Sequence, residues 1–129
     1  MKIKTHFFGK DCLVASSLAD RTLLKEALKK EGFPGDDALF VNQIHGSEVI
    51  TIDAKSKIHG QQNLPKADAI VTNLTNLNIG IVTADCAPIL FFDVNKKVIA
   101  AAHAGWRGAR GGIIAATIVA MKKLGAQEV

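Results

Sequence analysis

The sequence has no tyrosine, a single tryptophan at Trp106, and only two cysteines, Cys12 and Cys86. A surface that binds nucleic acid by stacking needs several aromatic faces among basic side chains. One indole and scattered Lys and Arg do not supply that, so no nucleic-acid partner is expected. Two cysteines cannot build a disulfide framework, and no apolar leader precedes them: Met1-Lys2-Ile3-Lys4 runs straight into His6-Phe7-Phe8-Gly9. Free thiols and a cytoplasmic location are therefore expected. No apolar run approaches the roughly 20 residues of a membrane-spanning helix, so no membrane partner is expected either.

What remains is ordinary globular material. The 129 residues suffice for one domain, and 48% are hydrophobic, enough for a core rather than a disordered chain. The net charge of +4 is compatible with an anionic substrate.

Along the chain, Ile3 to Phe8 reads as a strand, Gly9-Lys10-Asp11 as a turn, and Cys12 to Ala15 as a short strand in which Cys12 is a buried core residue. Residues 20–31 read as a helix with Asp20 as cap. Leu23, Leu24, Ala27 and Leu28 form its apolar stripe, and Gly32 its stop. Leu39 to Ile44 and Glu48 to Asp53 read as strands. Residues 54–66 form a polar loop in which His59 is solvated. Asp68 to Asn73, Leu77 to Ala84, Pro88 to Asp93 and Val98 to Ala102 read as four more strands, the last two joined by an Asp93–Lys97 hairpin. A helix from about Gly108 or Gly111 to Leu124 closes the pattern, with Ile114, Ile118, Met121 and Leu124 on its core face and Gly125 as its stop. Strands with one early and one late helix predict an α/β fold, or α+β, with a mixed sheet layered by helices. Residues 1–129 read as a single domain, and an incomplete one, because the last helix is followed by only Ala126-Gln127-Glu128-Val129.

Three residues at turns after apolar runs can bind a soft metal: His45, Cys86 and His103. The Asp93–Lys97 hairpin folds the interval between Cys86 and His103 in half, which brings both to one end of an antiparallel pair. A thiolate and two imidazoles suit zinc, with copper second, and three protein ligands leave a fourth position open. Ordinary turn positions in a β protein explain the same three residues equally well from spacing alone. Gly105-Trp106-Arg107-Gly108 stands at a helix entry, where N–H groups and Arg107 can hold an anion and Trp106 can stack on a planar ring or pack in the core. Arg110 can add to that anion site. Asp85 and Asp68 are each either a proton carrier or partner of a ligand histidine, or a simple cap.

Gln43-Ile44-His45-Gly46, Asp68-Ala69-Ile70-Val71-Thr72, Ala84-Asp85-Cys86-Ala87-Pro88 and His103-Ala104-Gly105-Trp106-Arg107-Gly108 resemble, in order, the motifs of the YfiH family. That family is described as laccase-like multicopper polyphenol oxidases and also as purine nucleoside phosphorylases. The resemblance covers about residues 39–127 and the N-terminal half of a family domain. It implies a layered α/β fold and a single zinc ion on His45, Cys86 and His103. It also implies phosphorolysis of adenosine, inosine, guanosine and methylthioadenosine, with deamination of adenosine. Purine nucleosides and phosphate would be the ligands. Gly105, Trp106, Arg107 and Gly108 would lie against them, with Asp85 and Arg107 in the catalytic roles. Residues 9–21 do not match the family's N-terminal substrate stretch, and the family's segment after the last helix is missing. A truncated, non-catalytic zinc-binding domain is thus the alternative. A copper-dependent polyphenol oxidase ranks lower, because four histidines cannot fill a multicopper cluster.

Overall fold

The computed structural model describes residues 2–9, 21–57 and 65–129. In chain order they form α1 (Thr22–Lys30), β1 (Val49–Ile52), β2 (Ala69–Thr72), β3 (Ala87–Asp93), β4 (Val98–Ala104), α2 (Trp106–Arg110) and α3 (Ile113–Lys123). The four strands make one mixed sheet in the order β1-β2-β4-β3. β1 runs parallel to β2, while β4 runs antiparallel to both of its neighbours. The expected α/β fold with a mixed sheet is what the chain adopts.

The sheet's two faces follow from the two-residue alternation of strands. Val71 of β2 with Val98 and Ala100 of β4 packs against Met121 of α3, while Ala69, Ala102 and Ala104 pack against Ile113. The small alanines of β4 let α3 lie close to the sheet. On the other face, Ile70 packs with Val41, Ile52 and Ala67. Leu24 and Leu28 of α1 meet Ala38 and Phe40 in a separate cluster. A cleft of about 570 Å³ lies between the N-terminal segment and the outer part of the sheet, lined by Phe7, Phe8, Leu90, Phe92 and Ile99.

Several expected elements differ from those observed. Ile3–Phe8 is not a strand. Leu39–Ile44 and Leu77–Ala84 form only isolated bridges, Leu39 with Ile79 and Asn42 with Lys66. The first segment divides its hydrogen bonds between two different neighbours. In the second, the Gln43 side chain captures the Val82 N–H and carbonyl at 2.7 and 2.6 Å, where a strand would have used backbone. Leu23 lies exposed, so the α1 stripe narrows to Leu24 and Leu28 with Ala27 half-buried.

The final helix is two helices. Gly112 separates them at φ 90°, a left-handed conformation that favours glycine. The break shifts the buried stripe of α3 to Ile113, Thr117 and Met121, leaving Ile114 exposed and Ile118 half-buried. Thr117 is tolerated inside because its hydroxyl donates to the Ile113 carbonyl at 2.7 Å. Arg21 takes the N-cap position of α1. The expected Asp20 cap, the Cys12 strand and His59 lie outside the described residues.

Candidate metal centre

Three elements deliver the three side chains. Cys86 immediately precedes β3, and His103 is the penultimate residue of β4. The ladder pairs Ala87 with Ala104 and Pro88 with His103, so the hairpin brings Cys86 and His103 to the same end of the sheet. His45 arrives from the turn before β1, in a left-handed conformation at φ 59°. A non-glycine residue held there costs on the order of 1–3 kcal/mol and persists only where its surroundings fix it. Here Asp68 fixes it. Oδ1 of Asp68 accepts the N–H groups of Ile44 and Gly46 at 3.0 and 2.9 Å, and Oδ2 accepts that of His45 at 3.0 Å.

Asp68 also reaches His103. Its Oδ2 lies 2.8 Å from His103 Nδ1, and its carbonyl accepts the His103 N–H at 2.7 Å. Both residues are buried. Burial alone pushes the Asp68 carboxyl up. The hydrogen bonds from the His103 ring and from the N–H groups of Gly46, Ile44 and His45 outweigh it and hold the carboxyl below its usual range.

The outcome is a compact donor set. One ligand atom each from His45, Cys86 and His103 lies within 4.8 Å of the other two. The two imidazole rings meet edge to face, with centroids 4.8 Å apart. The backbone leaves room for them: a β-carbon on Gly105 would come 3.1 Å from Cys86 Sγ and 3.3 Å from His45 Cδ2. Gly108 serves a similar purpose one turn on, where a β-carbon would sit 2.8 Å from the Gly46 carbonyl. The two glycines thus allow α2 to lie directly over the His45 turn. A soft donor set, converging atoms and a cradle that a methyl group would fill all fit a small divalent ion.

The remaining predicted residues divide between inside and outside. Gly105 and Gly108 are buried in the centre. Trp106 is 71% exposed, so packing in the core does not account for it. The Arg107 guanidinium lies over the Trp106 ring, 5.2 Å from its centroid. Arg107, Arg110 and Asp85 are all exposed. Among the described residues, Asp85 makes no hydrogen bond or ion pair, and Asp68 alone partners a candidate ligand histidine. Sequence reasoning assigned no role to Gln43. Its position two residues before His45 was the available signal, since its amide ties the His45 segment to the strand-like run leading to Cys86.

Known proteins resemble the chain in sequence and in fold. The chain is 42% identical over 96 residues to a purine nucleoside phosphorylase of Corynebacterium glutamicum, covering 74% of this chain and 38% of that one. It is 38% identical over 112 residues to a purine nucleoside phosphorylase of Aquifex aeolicus, covering 81% and 53%. Among solved structures, a Neisseria meningitidis protein superimposes with a TM-score of 0.64 at 34% identity, over 82% of this chain and 40% of that one. The YfiH protein of Bacillus licheniformis does so with a TM-score of 0.65 at 27% identity, over 75% and 38%. The chain thus spans about two-fifths to one-half of the length of these relatives. The family model described as multi-copper polyphenol oxidoreductase laccase matches residues 17–129, and it is to this family, the one that YfiH represents, that the chain belongs.

Proposed function

We propose that this chain carries the metal centre of a zinc-dependent purine nucleoside phosphorylase. It would act on adenosine, inosine, guanosine and methylthioadenosine, and would also deaminate adenosine. The observation that carries the reading is the convergence of His45, Cys86 and His103 within 4.8 Å, in a chain whose relatives bear the phosphorylase name. Zinc suits one thiolate and two imidazoles. Copper is the second choice: a blue-copper arrangement wants an axial methionine, and Met121 is packed in the core between α3 and the sheet.

A zinc ion on these three residues would supply Lewis acidity at the open side of the cluster. The chain's own residues supply the rest. In phosphorolysis a phosphate oxygen bonds to ribose C1′ while the bond from C1′ to the purine nitrogen breaks, and the leaving base takes the electron pair. Arg107, always charged and exposed beside the centre, is the phosphate-binding residue. Trp106 offers its ring to the purine. Asp85, exposed and without an internal partner among the described residues, is the proton carrier to the base. Gly105 and Gly108, buried against Cys86, His45 and the Gly46 carbonyl, hold this loop over the centre rather than against the substrate.

Inosine turnover with and without phosphate, read together with metal content on one sample, tests this. Phosphate-dependent release of hypoxanthine with about one zinc per chain is the expected result. Zinc without turnover would favour the second reading, a non-catalytic zinc-binding domain. The cleft lined by Phe7 and Phe92, both exposed, supports that reading. Absence of both zinc and turnover would overturn the two together.

A further inference from the structure

One side chain touches two of the three proposed ligands. Asp68 Oδ2 meets the His103 ring and the His45 N–H, while Oδ1 meets the N–H groups on either side of His45. A carboxylate has about four lone-pair sites, and here four donors use them. An ionised carboxylate accepts and cannot donate. The proton of the neutral His103 ring must therefore sit on Nδ1, and Nε2 keeps its lone pair.

The geometry points to Asp68 as the positioning residue of the centre, setting the tautomer of one histidine ligand and the backbone turn of the other through a single carboxylate. The inference rests on the metal reading above and deepens it. An acidic residue that merely capped a loop would accept the three backbone N–H groups and leave His103 alone. This one places His103 under the same carboxylate as His45.

Asp68→Asn weighs on the two roles unequally. The amide oxygen can still accept from Ile44 and Gly46. The amide nitrogen, in the place of Oδ2, donates: the His45 N–H loses its acceptor, and His103 Nδ1 must accept, so its proton moves to Nε2. That removes the lone pair a metal would use. The first measurement is the ring tautomer of His103 in the metal-free wild type, from long-range proton–nitrogen NMR spectra at pH 8. The Nδ1–H form is expected, and an Nε2–H form would overturn the proposal whether or not any variant folds. The second is a Co²⁺ titration followed by the visible bands of cobalt bound to thiolate. Asp68→Asn, with unchanged far-UV circular dichroism, should bind about 10–100-fold more weakly, the usual range for losing such a partner. Wild-type affinity in that variant would overturn the role. A wild type that shows no cobalt bands would remove the metal reading and the role with it, and it would do so before any substitution is made.

Discussion

Gly105 passes so close to Cys86 that a β-carbon would come 3.1 Å from the Cys86 sulfur, with His45 only slightly further away. The backbone at Gly105 is extended, at φ −72° and ψ 167°, a conformation that alanine adopts without strain. Gly105→Ala should therefore fold and crowd the centre alone. The expected result is metal affinity reduced by about tenfold or more, a loss of roughly 1.4 kcal/mol, with thermal stability of the metal-free protein nearly unchanged. Metal titration beside a melting curve checks both halves. Unchanged affinity would show that the methyl group is accommodated.

Arg107 carries a separate expectation. If it binds phosphate by a charge-assisted hydrogen bond worth about 1.5–3 kcal/mol, Arg107→Ala should raise the KM for phosphate roughly 10- to 100-fold. The KM for nucleoside should move far less. Steady-state kinetics with each substrate varied in turn separates the two. An equal rise for both would place Arg107 in general support of the site. Its exposure makes a stability effect small.

The parts of the site legible in the sequence are those built from local order. The β3–β4 hairpin is short and its register follows from its turn, so Cys86 and His103 could be brought together on paper. The part that was not legible depends on contacts distant in sequence. Asp68 and Asp85 looked alike as acidic residues near candidate ligands, and only the fold shows that Asp68 is buried against His103 while Asp85 faces outward. The same cause lies behind the run from Leu77 to Ala84, which has strand-like composition but gives the hydrogen bonds of Val82 to a glutamine side chain. In the last helix the error was one of phase: a break at Gly112 moves the core face by one residue, from Ile114 and Ile118 to Ile113 and Thr117.

Ile114 tests that phase, with Met121, which lies on both faces, as the reference. Met121 is fully buried between α3 and the sheet, against Val71, Val98 and Ala100. Met121→Ala should destabilise the fold by about 2–5 kcal/mol. Ile114→Ala, in the first turn of the same helix but exposed, should change stability by about 0.5 kcal/mol or less. Urea unfolding of the pair reads the difference, and a larger effect at Ile114 would restore the face expected from an unbroken helix.

Asp93 gives the pH dependence. Its carboxylate ends β3 and accepts the N–H groups of Gln127 and Glu128 at 2.7 and 2.9 Å, and that of Lys96 at 2.9 Å. These bonds, led by those from Gln127 and Glu128, lower its pKa from 3.8 to about 2. A carboxyl whose pKa is lower in the folded state than in the unfolded one favours folding when ionised. The contribution is therefore fully present above about pH 4 and is lost as pH falls toward 2. Asp93→Asn has one acceptor oxygen and no charge, so it should be less stable than the wild type near neutral pH. The two stabilities should draw together as pH falls toward 2, because the wild-type carboxyl is by then protonated in the unfolded chain and half protonated in the folded one. Denaturant melts at several pH values between 7 and 2 would show the gap closing. A gap that stayed constant with pH would mean that the neutral carboxyl holds the C-terminal segment as well as the ion does.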